Sequence, residues 1–303
     1  MTQTITYCGF IAIVGRPNVG KSTLLNRLIG KKISITSNKP HTTHHRIMGV
    51  HTEGVYQTIY IDTPGLHATE KNRTYDVMRR HTINLINDVT LVVFMIEGIR
   101  WTASDEMILK NLQNTQSVLL VINKMDVISN KSILLPHLQH LDKQRNFIGI
   151  VPISAQRGEN IGLIKNIICQ YLPKAKHCFP QAYITDCSQK FMASEIIREK
   201  IMRGFGAELP YSVVVQIEKF ITNTRGVLMV YALIVVQSEG QKKIMIGAQG
   251  GKIKTIGVLA RQNMEKVFGQ KVYLQNWVKV QHSWADHASV LHNLEHTNYL
   301  QYH

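Results

Sequence analysis

Lys21 and Ser22 close an eight-residue string, Gly15-Arg16-Pro17-Asn18-Val19-Gly20-Lys21-Ser22, whose residue types suit the holding of oxyanions. An ammonium next to a hydroxyl, behind two glycines, matches the loop that cradles the phosphates of a nucleoside triphosphate. Gly15 and Gly20 let successive N–H groups turn inward, Lys21 reaches the β- and γ-phosphates, and Ser22 offers its hydroxyl to Mg²⁺. Arg16, Pro17, Asn18, Val19 and Thr23 complete the candidate phosphate cradle. The flanks supply the elements such a loop needs. Residues 10–14 (FIAIV) read as a strand, and Leu24, Leu25, Leu28 and Ile29 share one face of a following helix. That helix N-terminus adds its own partial positive charge.

Three later motifs narrow the ligand. Residues 58–65 read TIYIDTPG, a strand ending in Asp62-Thr63-Pro64-Gly65. Asp62 is placed to hold Mg²⁺ through water, and the Gly65 amide to sense a γ-phosphate and draw the next loop with it. Residues 119–126 end a buried strand in Asn123-Lys124-Met125-Asp126. The Asp126 carboxylate can accept from N1–H and the 2-amino group of guanine, which adenine cannot match. Asn123 and Lys124 are expected to brace the loop and cover the base. Ser154-Ala155 ends a fifth strand, with the Ala155 amide facing guanine O6. Four such motifs in order, at strand ends where doubly wound sheets bind ligands, predict a guanine nucleotide site.

The switch elements follow. Residues 39–46 (KPHTTHHR) are polar and aperiodic, and Thr43, ahead of Thr42, is the expected γ-phosphate-dependent Mg²⁺ ligand. His41, His44 and His45 suggest a metal cluster, but lack a second ligand pair at zinc spacing; solvated or RNA-facing residues are the simpler reading. Leu66 stands where many regulatory GTPases place a water-orienting glutamine, which predicts slow intrinsic hydrolysis and names no general base. Asn18 is either a K⁺ ligand or a brace of its own loop.

The chain has 303 residues, enough for two domains. Its longest apolar run, Val227 to Val236, is ten residues, short of the ~20 a bilayer-spanning helix needs. The N-terminus reads as a first strand rather than a signal peptide. Cys8, Cys169, Cys178 and Cys187 form no C-x-x-C pair, so free thiols in a reducing cytosol are expected. The net charge is +15. Residues 242–279 hold eight basic side chains against Glu265 alone, a footprint suited to phosphate backbones. A solvated basic face or an acidic membrane surface would share that composition, but no amphipathic anchor accompanies it.

Organisation favours nucleic acid. Residues 1–172 form the nucleotide domain, 173–188 with two prolines a linker, and 189–303 a second domain with a C-terminal tail. A helix near Phe191–Met202 precedes strands at 213–221 and 227–236, joined by a turn at 223–226. Gly247-Ala248-Gln249-Gly250 follows, then a helix to Val267 and a strand from Val272 to Val280. In KH domains a G-x-x-G turn joins two helices and clamps the backbone of about four unpaired nucleotides. The element order suits a type II KH fold, with Lys252 and Lys254 supplying charge. Trp277 and Trp284 can stack on bases; Trp277 alternates with apolar neighbours, which makes core its simpler reading.

The fold class is therefore an α/β P-loop GTPase domain, with a doubly wound and mostly parallel sheet, followed by an α+β type II KH domain. Over residues 8–300 the chain resembles the Era family of bacterial GTPases. The resemblance rests on GRPNVGKSTLLN, TTHHRIMGV, IDTPGLH, NKMD and PISA, then FPQAYITD, SQKFMASEIIREK, ELPYSV and IGAQGGKIKTIG, and on the tail WVKVQHSWADHASVLHNL. It implies a cytoplasmic, monomeric GTPase that binds the single-stranded 3′ end of 16S rRNA and assists small ribosomal subunit assembly. Partial peripheral association with the inner membrane is also implied, and the residues themselves do not suggest it. Two positions depart from the family pattern: His44 replaces an expected arginine, and Ala248-Gln249 replaces a pair containing lysine, which removes one expected phosphate contact. Alternative readings are a GTPase of tRNA modification or large-subunit assembly, and a non-hydrolysing RNA-binding module. The KH segment argues against the first, and intact Lys21, Ser22, Asp62 and Asp126 against the second.

Overall fold

β1 (Tyr7–Gly15) is the strand on which the first unit is built. The computed structural model describes residues 4–36, 47–62, 88–113, 115, 117–128, 131–205 and 213–281. These form two compact units, the first running through Cys187 and the second starting at Ser188. Thr42, Thr43, Gly65, Leu66, the three switch histidines and Trp284 lie outside the described residues.

In the first unit β1 pairs in parallel with β3 (Tyr56–Asp62) on one side and β4 (Leu91–Glu97) on the other. β5 (Val118–Asn123) and β6 (Gly149–Pro152) extend the parallel side, and β2 (Ile47–Glu53) runs antiparallel beyond β3, giving the order β2-β3-β1-β4-β5-β6. The parallel strands are apolar nearly throughout because helices cover both faces. Along β1, Ile11 and Ile13 pack with α1 (Lys21–Ile29) and α4 (Ile161–Tyr171). Ala12 and Val14 turn the other way, to α2 (Ala103–Asn111) and α3 (Leu134–Asp142). Leu24, Leu25 and Leu28 of α1 are fully buried, each contributing roughly 1.5–3 kcal/mol to its docking. β1 has its neighbours in both directions, so the loop after it opens at the sheet's switch point.

The expected linker is irregular but pinned. The Cys8 amide donates to Pro173 O (3.1 Å), the Ala175 amide to Thr6 O (3.0 Å) and the Val50 amide to Ile184 O (2.7 Å). Gln57 of β3 holds Phe179 at both ends, donating to its carbonyl (2.8 Å) and accepting from its amide (2.9 Å). Proline content and mixed polarity signal irregular backbone, but not whether other strands satisfy it. Residues 173–187 are a strap on the first unit.

The second unit runs α5 (Gln189–Gly204), β7 (Val214–Thr222), β8 (Leu228–Val236), α6 (Glu239–Ile246), α7 (Gly251–Phe268) and β9 (Val272–Val280). Ser188 caps α5 by accepting from the Phe191 amide (3.1 Å). The central β8 is antiparallel to β7 and parallel to β9. Ile196, Ile197 and Ile201 of α5 and Ile256, Ala260 and Met264 of α7 bury one sheet face.

Trp277 is not in that core. On β9 the inward residues are Val272, Leu274, Val278 and Val280, so Trp277 belongs to the opposite set. It stands edge-on to Tyr231 at 6.5 Å, and Tyr231 lies 6.1 Å from Tyr273. Apolar residues lie near it in sequence, at Leu274 and Val278, but the two-residue period, not proximity, chooses the face.

Candidate functional site

The loop 15–20 carries α1 out of β1. Gly20 takes the left-handed φ of 105° as the residue before the helix, and no side chain caps α1. An added Cβ there would stand 2.2 Å from Asn123 Nδ2, so only glycine fits. The first N–H groups of α1 are thus left for an anion. Lys21 is 7% exposed and donates from Nζ to the carbonyls of Gly15 and Arg16, at 2.9 Å each. Burial lowers its pKa to about 8, with the Asp62 charge pulling the other way. The ammonium is curled onto the loop's own carbonyls, within the position a phosphate would take over. Asn18 sits at the loop with a left-handed φ of 62°.

β3 brings Asp62 to the loop, since the register pairs it with Ile13, two residues before Gly15. Asp62 is fully buried; Oδ2 accepts from Ser22 Oγ (2.7 Å), while Oδ1 is buried without a hydrogen-bond partner. Burial raises its pKa, opposed by the Lys21 charge and the Ser22 and Ser34 hydroxyls. A buried carboxylate oxygen beside a hydroxyl and a cation is the donor set of a hard divalent ion.

The base side forms at the ends of β5 and β6. Asn123 Nδ2 donates to Val19 O (2.7 Å), bracing the phosphate loop across the sheet. Its Oδ1 accepts from the Ala155 amide (2.9 Å), so the amide expected to meet guanine O6 is engaged by Asn123 in this structure. Lys124 adopts a left-handed φ of 66° and bonds Glu97 Oε1 at 2.8 Å. Asp126 follows in a single 3₁₀ turn, half-buried. The hydrogen bond from Ser154 keeps its carboxyl below the usual range, helped by Arg157 and Lys124 and opposed by desolvation, so it stays ionised as an acceptor pair. Ser154 itself is fully buried.

Several supports escape motif reading because they join distant stretches. Arg16 Nε bonds Asp105 Oδ1 at 2.8 Å, and Asp105 is fully buried at the start of α2. Asp105 and Thr102 form a reciprocal capping box there, so the helix terminus and the phosphate loop share one carboxylate. Arg27, at the far end of α1, donates to Ala155 O (3.0 Å) and to Gln156 O. The Thr-x-x-Asp spacing marks the cap in sequence; nothing there marks its arginine.

In the second unit Gly247, Ala248, Gln249 and Gly250 form the turn between α6 and α7, as the pattern predicts. Gly250 has φ 76° and Gln249 is also left-handed at φ 49°, while Ala248 and Gln249 are exposed at the tip. The two candidate lysines part company. Lys252 Nζ lies 5.3 Å from the centre of the Phe205 ring, and its stem packs on Gly247. Lys254 instead lines a groove of about 320 Å³ between α7 and β9. Gly257, Val258 and Arg261 continue that wall, and Leu274 and Asn276 form the other. An added Cβ at Gly257 would be 3.3 Å from Asn276 Nδ2, so glycine lets helix and strand approach. Asn276 Oδ1 is buried and has no hydrogen-bond partner among the described residues. The 254, 257, 258, 261 spacing was the available signal for this wall. Among the described residues no three metal-ligating side chains cluster, and no helix is long and apolar enough to cross a membrane.

Known proteins agree with this division. Residues 10–124 match the family model described as 50S ribosome-binding GTPase, and residues 208–285 match the KH domain model. The GTPase Era of Yersinia enterocolitica is 58% identical over 297 residues, covering 98% of both chains, and that of Yersinia pestis (strain Pestoides F) is 57% identical over the same span. An Aquifex aeolicus Era variant bound to GDP and AlF4⁻ superposes with a TM-score of 0.88 at 36% identity, covering 96% of this chain and 99% of that one. A second Era structure, in complex with MgGDPNP and nucleotides 1506–1542 of 16S ribosomal RNA, gives 0.87 at 36% identity with the same coverage. With its phosphate loop, guanine-side strand ends and KH turn all in place, the chain belongs to the GTPase Era family, a GTP-hydrolysing domain followed by a KH domain.

Proposed function

We propose that this GTPase binds the single-stranded 3′ end of 16S rRNA through its KH groove and assists assembly of the small ribosomal subunit, with the bound nucleotide setting its RNA affinity. The observation that carries this reading is the groove beside Gly247–Gly250: a charged, partly apolar channel with a buried, unpartnered acceptor at Asn276. The related Era structure with a 16S rRNA fragment supports the choice of RNA. In this reading the Gly247–Gly250 turn clamps the backbone, Lys254 and Arg261 face phosphates, and Asn276 Oδ1 accepts from a base edge. Residues 15–23 hold the phosphates, and Asp126 with Ala155 reads guanine.

Ser22 and Asp62 would hold Mg²⁺, since Asp62 Oδ1 is a buried oxygen without a partner and Ser22 Oγ lies beside the same carboxylate. Bound there, the ion would neutralise charge on the phosphate oxygens. Arg16 and Lys21 orient the same oxygens, and Asn123 keeps the loop in register with the base site. A K⁺ ion at Asn18 is the aid to hydrolysis that this reading assigns to a chain with Leu66 after its Asp-x-x-Gly motif. The test is the affinity of an rRNA 3′-end oligonucleotide for the protein loaded with GDP and with a non-hydrolysable GTP analogue. Different affinities are expected, with nucleotide affinity changing by the same factor when RNA is bound. Equal affinities in both states would end the coupling; no binding would end the RNA assignment.

A further inference from the structure

Two thiols separated by 170 residues meet where the strap crosses β1. Cys8 is buried on the strand (3% exposed), Cys178 is exposed in the strap, and their sulfurs are 3.5 Å apart. Backbone placement, not a single rotamer, brings them together. The residue after Cys178 is held at both its amide and carbonyl by Gln57, whose Oε1 also lies 3.7 Å from Cys8 Sγ. On the other side, Lys174 bridges to Tyr7, and the Cys8 amide donates to Pro173. A disulfide of about 2.05 Å needs the sulfurs to close by about 1.5 Å from the observed separation. Cys169 and Cys187 are part-buried, the first on α4 and the second at the end of the strap.

We propose that Cys178 and Cys8 are a peroxide-oxidisable pair that closes a disulfide between the strap and the strand leading to the phosphate loop. The exposed Cys178 meets the oxidant: its thiolate attacks one oxygen of hydrogen peroxide, the O–O bond breaks, the leaving hydroxide takes up the proton that the thiol released and departs as water, and Cys178 becomes a sulfenic acid. Cys8 then attacks the Cys178 sulfur, the S–O bond breaks, and the leaving hydroxide takes the Cys8 proton as water. Two thiols and one hydrogen peroxide give one disulfide and two waters. The order of roles follows from burial, which pushes the Cys8 thiol up to about 11 and keeps it protonated until the leaving hydroxide is beside it.

The test treats the full chain with hydrogen peroxide, then denatures, alkylates and maps it by mass spectrometry without reductant. The expected product is a Cys8–Cys178 cross-linked peptide pair lighter by two hydrogens, reversed by dithiothreitol, with Cys169 and Cys187 still alkylated. Peroxide should also raise the melting temperature of the native chain and leave that of Cys178→Ser unmoved. In Cys8→Ala, whose fold is checked by its own melt, Cys178 should stop at a sulfenic acid trapped by dimedone. The proposal is overturned if Cys178 is carried to the sulfinic acid while Cys8 stays alkylatable. Pairing of Cys178 chiefly with Cys187 or with a second chain would overturn it as well.

Discussion

At Gly20 an added Cβ would lie 2.2 Å from Asn123 Nδ2, whereas at Gly250 it would meet nothing within 4 Å. Both glycines precede a helix and both have positive φ, and in the proposed function both turns present backbone to phosphate. Around the first, Asn123, Lys21 and the Arg16–Asp105 pair brace the loop from several sides. Around the second, Ala248 and Gln249 stand in solvent, and the nearest cation packs on Phe205. A mononucleotide can be enclosed, so its loop is built as a fitted cage. A polymer must enter and leave along its length, so its turn stays open and leaves selection to the groove behind it.

Four measurements can break or sharpen that contrast. The largest effect should come from Lys21→Ala, which removes the cation inside the cage: GTP affinity is expected to fall roughly a thousandfold, about 4 kcal/mol, with oligonucleotide binding by the nucleotide-free protein unchanged. Fluorescent-nucleotide titration reads it, and a loss under tenfold would mean the cage does not depend on its lysine. Gly250→Asp places a carboxylate at the open turn. RNA affinity should drop at least about tenfold while GTP turnover stays within about twofold; unchanged RNA binding would remove the turn from the interface.

Next comes stability. Gly20→Ala meets Asn123 and a left-handed backbone together and should cost about 3 kcal/mol or more, whereas Gly250→Ala carries only the backbone term, about 1–2 kcal/mol. Denaturant unfolding of the two variants decides it, and equal costs would mean the cage is no tighter than the turn. The smallest effect is a proton. Burial lowers the Lys21 pKa from its usual 10.5 to about 8, so the fold without nucleotide binds fewer protons than the unfolded chain between those values, and its stability rises with pH across that window. A bound polyphosphate favours the ammonium and raises that pKa again. Nucleotide binding between pH 8 and 10 should therefore take up a fraction of a proton, seen by calorimetry in buffers of different ionisation enthalpy; proton release there would contradict the burial of Lys21.

Legibility in sequence followed the range of the interaction. Strand, loop and helix around Gly15–Ser22 are local, and β9 is observed at the expected Val272–Val280. Asp62 and Asn123 end β3 and β5, with Asp126 in the turn just beyond, because a parallel sheet lines up its strand termini. What stayed hidden depends on pairing between distant stretches: Arg16 with Asp105, Arg27 with residues 155 and 156, Gln57 with Phe179. Trp277 differs from the expected core position for a subtler reason. Alternation along β9 is legible, but the parity that assigns a face needs Val272 and Val280 as reference points.

Arg27 gives α1 a meaning beyond packing. The helix begins at Lys21, against the phosphate side, and near its end Arg27 grips the carbonyls of the turn that carries Ala155. Six rises of ~1.5 Å from Lys21 to Arg27 make a rigid rod of about 9 Å, a yardstick between the phosphate loop and the turn that carries Ala155. A ligand of the wrong length can satisfy one end of such a gauge but not both. Inorganic triphosphate or a free guanosine should then engage its own end without tightening the other.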